Sequence, residues 1–310
     1  MGQGALVVGG DYRGLGVVRS LGRRGIPVWV LTDGDDVLAT RSRYAGRHMP
    51  LLGTSSEEQA ESLLRLADEH ALDGWALFPT SDRTAAMIGQ HHAELGSRYV
   101  LTTPSWDTLR WAFDKRLTYE LAERIGVPYP RTWKAVDASE ASGLPVEFPV
   151  IVKPAVREED NALTVAKAWR ADGRDELRER FAEGAALLPA DELLIQELVP
   201  GGGETQVSYA ALCDEGRPLA TVIARRTRQY PPDFGRASTY VETIEQPEIV
   251  EPSERLLAEL RFTGLVELEY KRHPTSGEFK LLDVNPRVWG WRRSDARSAR
   301  RLGARPRHHP

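Results

Sequence analysis

Lysine is scarce in this chain. Only six of its 41 basic residues are lysine, at positions 115, 134, 153, 167, 271 and 280, so each invites the question of what it does. Cysteine is scarcer still. The lone Cys213 excludes an internal disulfide and fits a reducing, cytoplasmic setting. It lies in the apolar run Tyr209–Cys213, which predicts a packed strand residue rather than a catalytic nucleophile. No apolar run approaches the roughly 20 residues that span a bilayer. The opening residues, MGQGALVVGG, lack the charged, then apolar, then small pattern of a signal peptide and read as a first strand. No membrane partner is expected.

The chain has 310 residues, 41% hydrophobic and 28% charged, which predicts a soluble globular protein of two or three domains. Its net charge is −4, and residues 292–310 hold seven arginines and one aspartate. The tail therefore carries +6 and residues 1–291 carry −10. An acidic body argues against nucleic acid as a partner.

One stretch concentrates chemistry. Gly264 to Arg287 reads GLVELEYKRHPTSGEFKLLDVNPR, two alternating apolar runs around a turn with Pro274 and Gly277, which predicts a β-hairpin. Glu267 and Glu269 share one face of its first strand, and Asp283 and Asn285 share one face of the second, with Arg287 just beyond. Hard oxygen donors on rigid strands suit Mg²⁺ bound jointly with phosphates.

The ending LLDVNPR resembles the (E/D)-x-N-P-R signature of the ATP-grasp superfamily, preceded by its G-x-x-x-x-E-(F/Y) strand. Other segments follow in the order that family uses. Phe113-Asp114-Lys115-Arg116, then Gly126-Val127-Pro128-Tyr129-Pro130, resembles the segment that opens ATP-grasp domains. Phe148 to Pro154 is a short apolar strand ending in Lys153, whose buried stem needs a counter-charge. In place of a glycine-rich phosphate lid the chain has Ala155 to Asn161, with Arg157 in it, and Lys167 is the candidate for a second lid lysine. Leu193 to Gly201 resembles the hinge that holds adenine, and Glu204 matches the acid that accepts from ribose hydroxyls. Arg225 to Gly235 resembles an arginine-rich loop of the carboxylate–amine ligase-like branch; guanidinium forks match carboxylate and acyl-phosphate oxygens.

The resemblance implies an α/β protein, with an N-terminal open parallel-sheet domain followed by an ATP-grasp fold of two α+β subdomains. The expected divisions are residues 1–103, 104–194 and 195–291, with 292–310 a basic tail that is disordered or comes from a shifted reading frame. It implies ATP and Mg²⁺ (Mn²⁺ as the alternative) and ligation of a small carboxylate to an amine through an acyl phosphate, with a homodimer allowed. By motif match Glu269, Asp283 and Asn285 hold the metal. Lys115, Lys153 and Lys167 bind phosphates; Gln196, Glu197, Leu198, Val199 and Glu204 bind the nucleoside. Arg287, Arg226 and Arg228 stabilise the acyl phosphate.

Two rivals are weighed against this. An ATP-binding but inactive or truncated protein would bind nucleotide without turnover. An NAD-linked oxidoreductase would need a dinucleotide fingerprint, but the glycines at 9, 10, 14 and 16 do not match G-x-G-x-x-G. Asp33, past the second strand, is its only imitation of a ribose acid. Pro79-Thr80-Ser81-Asp82, at a strand end, is the substrate contact expected of the first domain, or else a plain helix cap.

Overall fold

The computed structural model describes residues 4–34, 37–156, 161–230, 234 and 237–291. The first strand, β1 (Ala5–Val8), buries Leu6 and Val8 on one face and Ala5 and Val7 on the other. Strands apolar on both faces belong in parallel sheets covered on both sides. That is where β1 lies. With β2 (Val28–Thr32), β3 (Arg47–Pro50), β4 (Ala76–Pro79) and β5 (Val100–Leu101) it forms a parallel sheet of order β3–β2–β1–β4–β5. Helix α1 (Tyr12–Gly22) packs on one face, and α2 (Ser56–His70), α3 (Asp82–Gln90) and α4 (His92–Gly96) on the other. The strand order reverses between β1 and β4, the place where open α/β sheets leave a crevice at their carboxyl ends.

Helices α5 (Trp106–Phe113) and α6 (Lys115–Arg124) lead to a second, antiparallel sheet. It contains β6 (Thr132–Trp133), β7 (Val150–Pro154), β8 (Trp169–Ala171) and β9 (Leu193–Glu197) in the order β6–β9–β7–β8. Helices α7 (Ala138–Gly143), α8 (Ala162–Ala166) and α9 (Arg174–Ala185) accompany it, and Phe181, Leu177 and Leu163 fill its core. The expected division at 194/195 would cut β9, whose whole length pairs with β7. The strand belongs with the second sheet.

The third sheet is antiparallel, order β12–β11–β10–β13–β14, built from β10 (Gln206–Asp214), β11 (Arg217–Tyr230), β12 (Ala237–Thr243), β13 (Gly264–Arg272) and β14 (Phe279–Asn285). Period-two alternation decides its two faces. Val207, Tyr209, Val266, Leu268 and Tyr270 pack with α10 (Val250–Glu259) and α6 in the core. Gln206, Ser208, Glu267 and Glu269 therefore point the other way. On that second face Ala210 and Leu265 join the core of the first sheet through Phe78 and Trp289. Gly264 makes this docking possible: it has φ +120°, and a Cβ there would come within 2.3 Å of the Thr102 carbonyl oxygen.

Helix α1 starts at Tyr12, where the Asp11 side chain accepts from the Arg13 and Gly14 amides. Helix α10 starts at Val250, and Pro252 fits its first turn because no intrahelical N–H bond is needed there. The strands β3, β5, β6 and β8 are short; β3 is mostly exposed, and β5 and β6 have two residues each. No helix among the described residues is long and apolar enough to cross a membrane.

Candidate functional site

The β13–β14 pairing sets Glu269 directly opposite Asp283 and Glu267 opposite Asn285. Like charges facing each other across a ladder destabilise it unless cations intervene, and cations do. Asp283 Oδ1 lies 3.2 Å from Lys115 Nζ. Glu269 Oε1 accepts from Arg226 Nη2 at 3.1 Å, and its Oε2 accepts from Gln206 Nε2 at 2.6 Å. Asn285 Nδ2 donates to Glu267 Oε2 and Glu269 Oε1, both at 3.2 Å, while its Oδ1 accepts from Arg287 Nη2 at 3.2 Å. Glu267 is buried and also accepts from Trp291 Nε1. Burial, then the Glu269 charge, pushes the Glu267 carboxyl up to about 7.

A second strand end supplies a cation with different company. Lys153, buried in β7, donates to Tyr119 Oη and to Gln196 Oε1, both at 2.8 Å. Both partners are neutral. Burial accordingly pulls the Lys153 ammonium down to about 8, against the weaker opposing attraction of Asp283. Gln196 Nε2 is held by Thr132 Oγ1 at 2.7 Å, and Tyr119 Oη donates to the Leu282 carbonyl at 2.8 Å, which fixes the group.

Lys115, Lys153, Gln196, Gln206, Arg226, Glu269 and Asp283 line one cleft of about 160 Å³ between the second and third sheets. A single water needs roughly 10–15 Å³ on this measure, so the space suits a ligand of nucleotide size. Of the sequence-predicted residues, Lys115, Lys153, Lys167, Gln196, Glu197, Leu198, Val199, Arg226, Glu269 and Asp283 all face it. Lys167 does so from a backbone with φ +71°, a conformation rare for a residue with a Cβ. Along the hinge, the Glu197 and Leu198 amides already donate to the Arg131 and Pro149 carbonyls, at 2.9 and 3.3 Å. A base edge read here falls to Val199 and to carbonyl groups. The Glu197 carboxylate is taken by Lys280 Nζ at 2.7 and 2.8 Å. Burial would raise its pKa, but Lys280 and the Arg131 amide hold it below the ordinary value.

Four predicted residues stand apart from this lining. Glu204 is exposed and its Oε1 accepts from the Gly202 amide at 3.0 Å, so Gly202 rather than Glu204 faces the cleft. Arg228 is exposed because the β11–β12 register shifts on both sides of it, breaking the alternation that would have put it beside Arg226. Asn285 lines a second, small pocket next to the cleft. Arg287 turns toward the first sheet, donating from Nε to Asp82 Oδ1 at 2.6 Å; burial works against its charge, but Asp82, joined by Glu267 and Asp283, raises the guanidinium's pKa further. Arg157 and the 292–310 tail lie outside the described residues.

Sequence reasoning missed Tyr119, Gln206, Gln229, Lys271 and Lys280. Tyr119 was legible: it stands four residues after Lys115, on the same face of α6. Gln206 carried no signal, because only the pairing of β10 with β11 brings it to Arg226, at 3.2 Å; Gln229 stands 3.4 Å from Arg226 on the same strand, three residues on, across the register shifts.

Among the described residues no three His, Cys, Asp or Glu side chains converge to hold a metal ion by themselves. The donors present still fit Mg²⁺, which takes one or two carboxylates and keeps oxygens of water and phosphate. Glu269 and Asp283 are paired across the strands and both already attract cations. Asn285 would join them only with its amide turned over, since its nitrogen now faces Glu269. Two other chemistries do not fit. Cys213 is buried and burial pushes its thiol up to about 12, far from a nucleophile. The α1 N-terminus, where a dinucleotide pyrophosphate would sit, is capped by Asp11.

No family model matches the chain. D-aspartate ligase of Enterococcus faecium is 25% identical over 240 residues, 73% of this chain and 57% of that protein. An L-amino acid ligase from Bacillus licheniformis superposes with a TM-score of 0.69 at 15% identity, covering 93% of this chain and 68% of the other. The biotin carboxylase domain of the Hydrogenobacter thermophilus 2-oxoglutarate carboxylase, a dimer in complex with MgADP and bicarbonate, superposes at 0.66, with 15% identity over 92% of this chain and 64% of that one. The chain has the fold of ATP-grasp proteins. It spans little more than half the length of its D-aspartate ligase relative. Its parallel first sheet is followed by two antiparallel sheets with the cleft between them, in keeping with that fold.

Proposed function

We propose that this protein is an ATP- and Mg²⁺-dependent ATP-grasp ligase of the carboxylate–amine branch, joining a small carboxylate to an amine through an acyl phosphate. The observation that carries the reading is the cleft's charge layout. A buried lysine whose hydrogen-bond partners among the described residues are neutral sits at one end, and paired carboxylates bridged by Lys115 and Arg226 at the other.

On this reading Lys153, Lys115 and Lys167 hold the phosphates. The segment Gln196–Val199 holds the nucleoside, with Gly202 at its rim. Glu269 and Asp283, joined by Asn285, hold Mg²⁺ or, as an alternative, Mn²⁺. The metal supplies neutralisation of the phosphate oxygens, with Lys115 and Arg226 released from the carboxylates to face the substrate. A substrate carboxylate oxygen bonds to the γ-phosphorus as the bond to ADP breaks. The amine nitrogen then bonds to the acyl carbon, phosphate leaves, and the nitrogen gives up a proton. Arg226 stands where guanidinium donors can stabilise charge on the acyl phosphate.

Residues 1–103 serve as the substrate-side domain, with the nucleotide held between the second and third sheets, and a homodimer is the proposed assembly. D-aspartate and L-amino acid ligation by the two ligases found to be similar points to amino acids or similar small molecules as substrates. The test is ADP release with Mg²⁺ and ATP against a panel of carboxylates and amino acids. Turnover that needs both a carboxylate and an amine is expected. Nucleotide-dependent thermal stabilisation with no turnover under any pairing would show a nucleotide-binding protein without ligase activity.

A further inference from the structure

Strand β14 contains one residue more than the stretch of β13 opposite it. Tyr270 pairs with Leu281 and Glu269 with Asp283, so the ladder passes over Leu282. Such a bulge shifts the alternation of the side chains beyond it. Leu281 lies in the core with Tyr270. Strict alternation from there would put Leu282 in the cleft, Asp283 in the core and Val284 in the cleft. The bulge reverses the last two: Leu282 and Asp283 both line the cleft, and Val284 joins the core. A carboxylate at the cleft therefore depends on the extra residue at 282.

One hydroxyl meets that residue. Tyr119 Oη, on α6, donates to the Leu282 carbonyl at 2.8 Å and accepts from Lys153 Nζ at 2.8 Å. Its single proton goes to the carbonyl, and burial raises the phenol's pKa, which keeps that proton in place. The lysine contact is thereby fixed in direction, with Nζ as the donor. Gln196 is fixed likewise, because its Nε2 donates to Thr132 Oγ1 and its Oε1 is left to Lys153. An ammonium has three N–H groups, arranged as the corners of a tetrahedron. Two set acceptors therefore set the direction of the third, and Lys153 makes no other hydrogen bond among the described residues. The Tyr119 ring is stacked on Tyr129 at 5.2 Å and 11°, and its centroid lies 5.1 Å from Nζ, so the hydroxyl is held from behind.

We propose that Tyr119 is the positioning residue of the cleft: its hydroxyl aims the third N–H of Lys153 at a phosphate oxygen and holds the Leu282 bulge that turns Asp283 toward the metal. The inference rests on the ATP and Mg²⁺ assignment above and adds the group that ties its two ends together.

The experiment measures ATP affinity at saturating Mg²⁺, and the Mg²⁺ concentration that half-saturates ATP binding, for wild type, Tyr119→Phe and Tyr129→Leu. Tyr119→Phe keeps the stacked ring and removes the hydroxyl; Tyr129→Leu keeps the hydroxyl and removes the stack. Both disturb packing, so ligand binding rather than the thermal midpoint separates the roles. Tyr119→Phe is expected to weaken ATP binding roughly tenfold or more, about 1.4 kcal/mol, and to raise the Mg²⁺ half-saturation point. Tyr129→Leu is expected to change both by less than about threefold, the range of a substitution away from a ligand. The same losses in the two variants would mean that Tyr119 serves packing alone, and unchanged binding in Tyr119→Phe would overturn its positioning role. Weakened ATP binding with an unchanged Mg²⁺ midpoint would overturn the part that runs through Leu282. Wild type that fails to bind Mg²⁺–ATP would remove the nucleotide reading and this proposal with it, whereas binding without ligation would remove the ligase chemistry alone.

Discussion

The two ends of the cleft solve opposite electrostatic problems. On β7, Lys153 is a buried cation whose hydrogen-bond partners, Tyr119 and Gln196, are neutral. On β13 and β14, Glu269 and Asp283 are partly buried anions, each already matched by a cation, Arg226 and Lys115. Burying a charge without an opposite one is costly, whereas pairing offsets much of the cost. The lysine end therefore waits for a negative ligand and sacrifices stability meanwhile. The carboxylate end is balanced, and a ligand can bind there only by rearranging the pairs already made. A polyphosphate with its metal meets both requirements at once: oxygens for Lys153, and a cation that takes over the carboxylates.

The largest expected effect breaks the lysine end. Lys153→Met should lower ATP turnover at least a hundredfold, since a buried phosphate contact is lost, yet it should not destabilise the fold and should raise the thermal midpoint. The pH dependence follows from the depressed pKa. The ammonium is held near 8 in the folded protein against 10.5 ordinarily, so between those values the unfolded chain binds more protons and stability rises with pH. The folded state's penalty is constant below about 8 and gone above about 10.5, a span of about 3 kcal/mol at 1.36 kcal/mol per unit. Denaturant unfolding of wild type from pH 7.5 to 10.5 should show this rise, and Lys153→Met should lack it. Affinity for Mg²⁺–ATP should run the other way, weakening as the pH passes 8.

Asp283→Asn tests the carboxylate end. It removes a metal donor and leaves Lys115 without that partner, so turnover should fall by two orders of magnitude or more, on the scale of a lost electrostatic contact in a site of this kind. Titration with Mg²⁺ should show a raised half-saturation point. Unchanged turnover and unchanged metal dependence would sink the metal assignment.

What could be read from the chain beforehand follows this same contrast. The hairpin carboxylates and Lys153 were legible because strand periodicity and a short motif fix them locally: two residues apart on one face, or at the end of an apolar run. Lys115 needed only the start of a helix. The residues that balance them were hidden. Gln206 reaches Glu269, and Asp82 reaches Arg287, only after distant strands or whole sheets meet. Arg228 failed for the converse reason. Spacing of two from Arg226 predicts a shared face, and two register shifts on β11 cancel it. The two-residue strands β5 and β6 exist only through their neighbours, so no local pattern announces them.

Smaller effects sharpen the comparison at the hinge. Lys280→Met strips the Glu197 carboxylate of its bidentate partner in a half-buried setting and should cost roughly 1–3 kcal/mol of stability. Because the Glu197 pKa is depressed in the fold, that contribution is present above the ordinary value of 4.5 and disappears as the pH falls through the folded pKa. The variant and wild type should therefore converge in acid, a result that denaturation at pH 7 and pH 3 would check. The KM for ATP should move less than in Lys153→Met, since the hinge is assigned to the base through Val199 and carbonyl groups rather than through this carboxylate.

The smallest effect belongs to Arg228. Arg226 is buried, hydrogen-bonded to Glu269, Gln206 and Gln229, and faces the cleft; Arg228 is exposed and lines neither pocket described above. Arg226→Ala should leave Glu269 without its guanidinium and cut turnover by a hundredfold or so. Arg228→Ala should change it by less than threefold and stability by no more than about 0.5 kcal/mol, the ordinary range for an exposed side chain. Parallel steady-state assays of the two variants decide the matter. A loss at Arg228 matching that at Arg226 would mean that β11 and β12 change register when nucleotide binds, restoring the alternation that the strand sequence would dictate by itself.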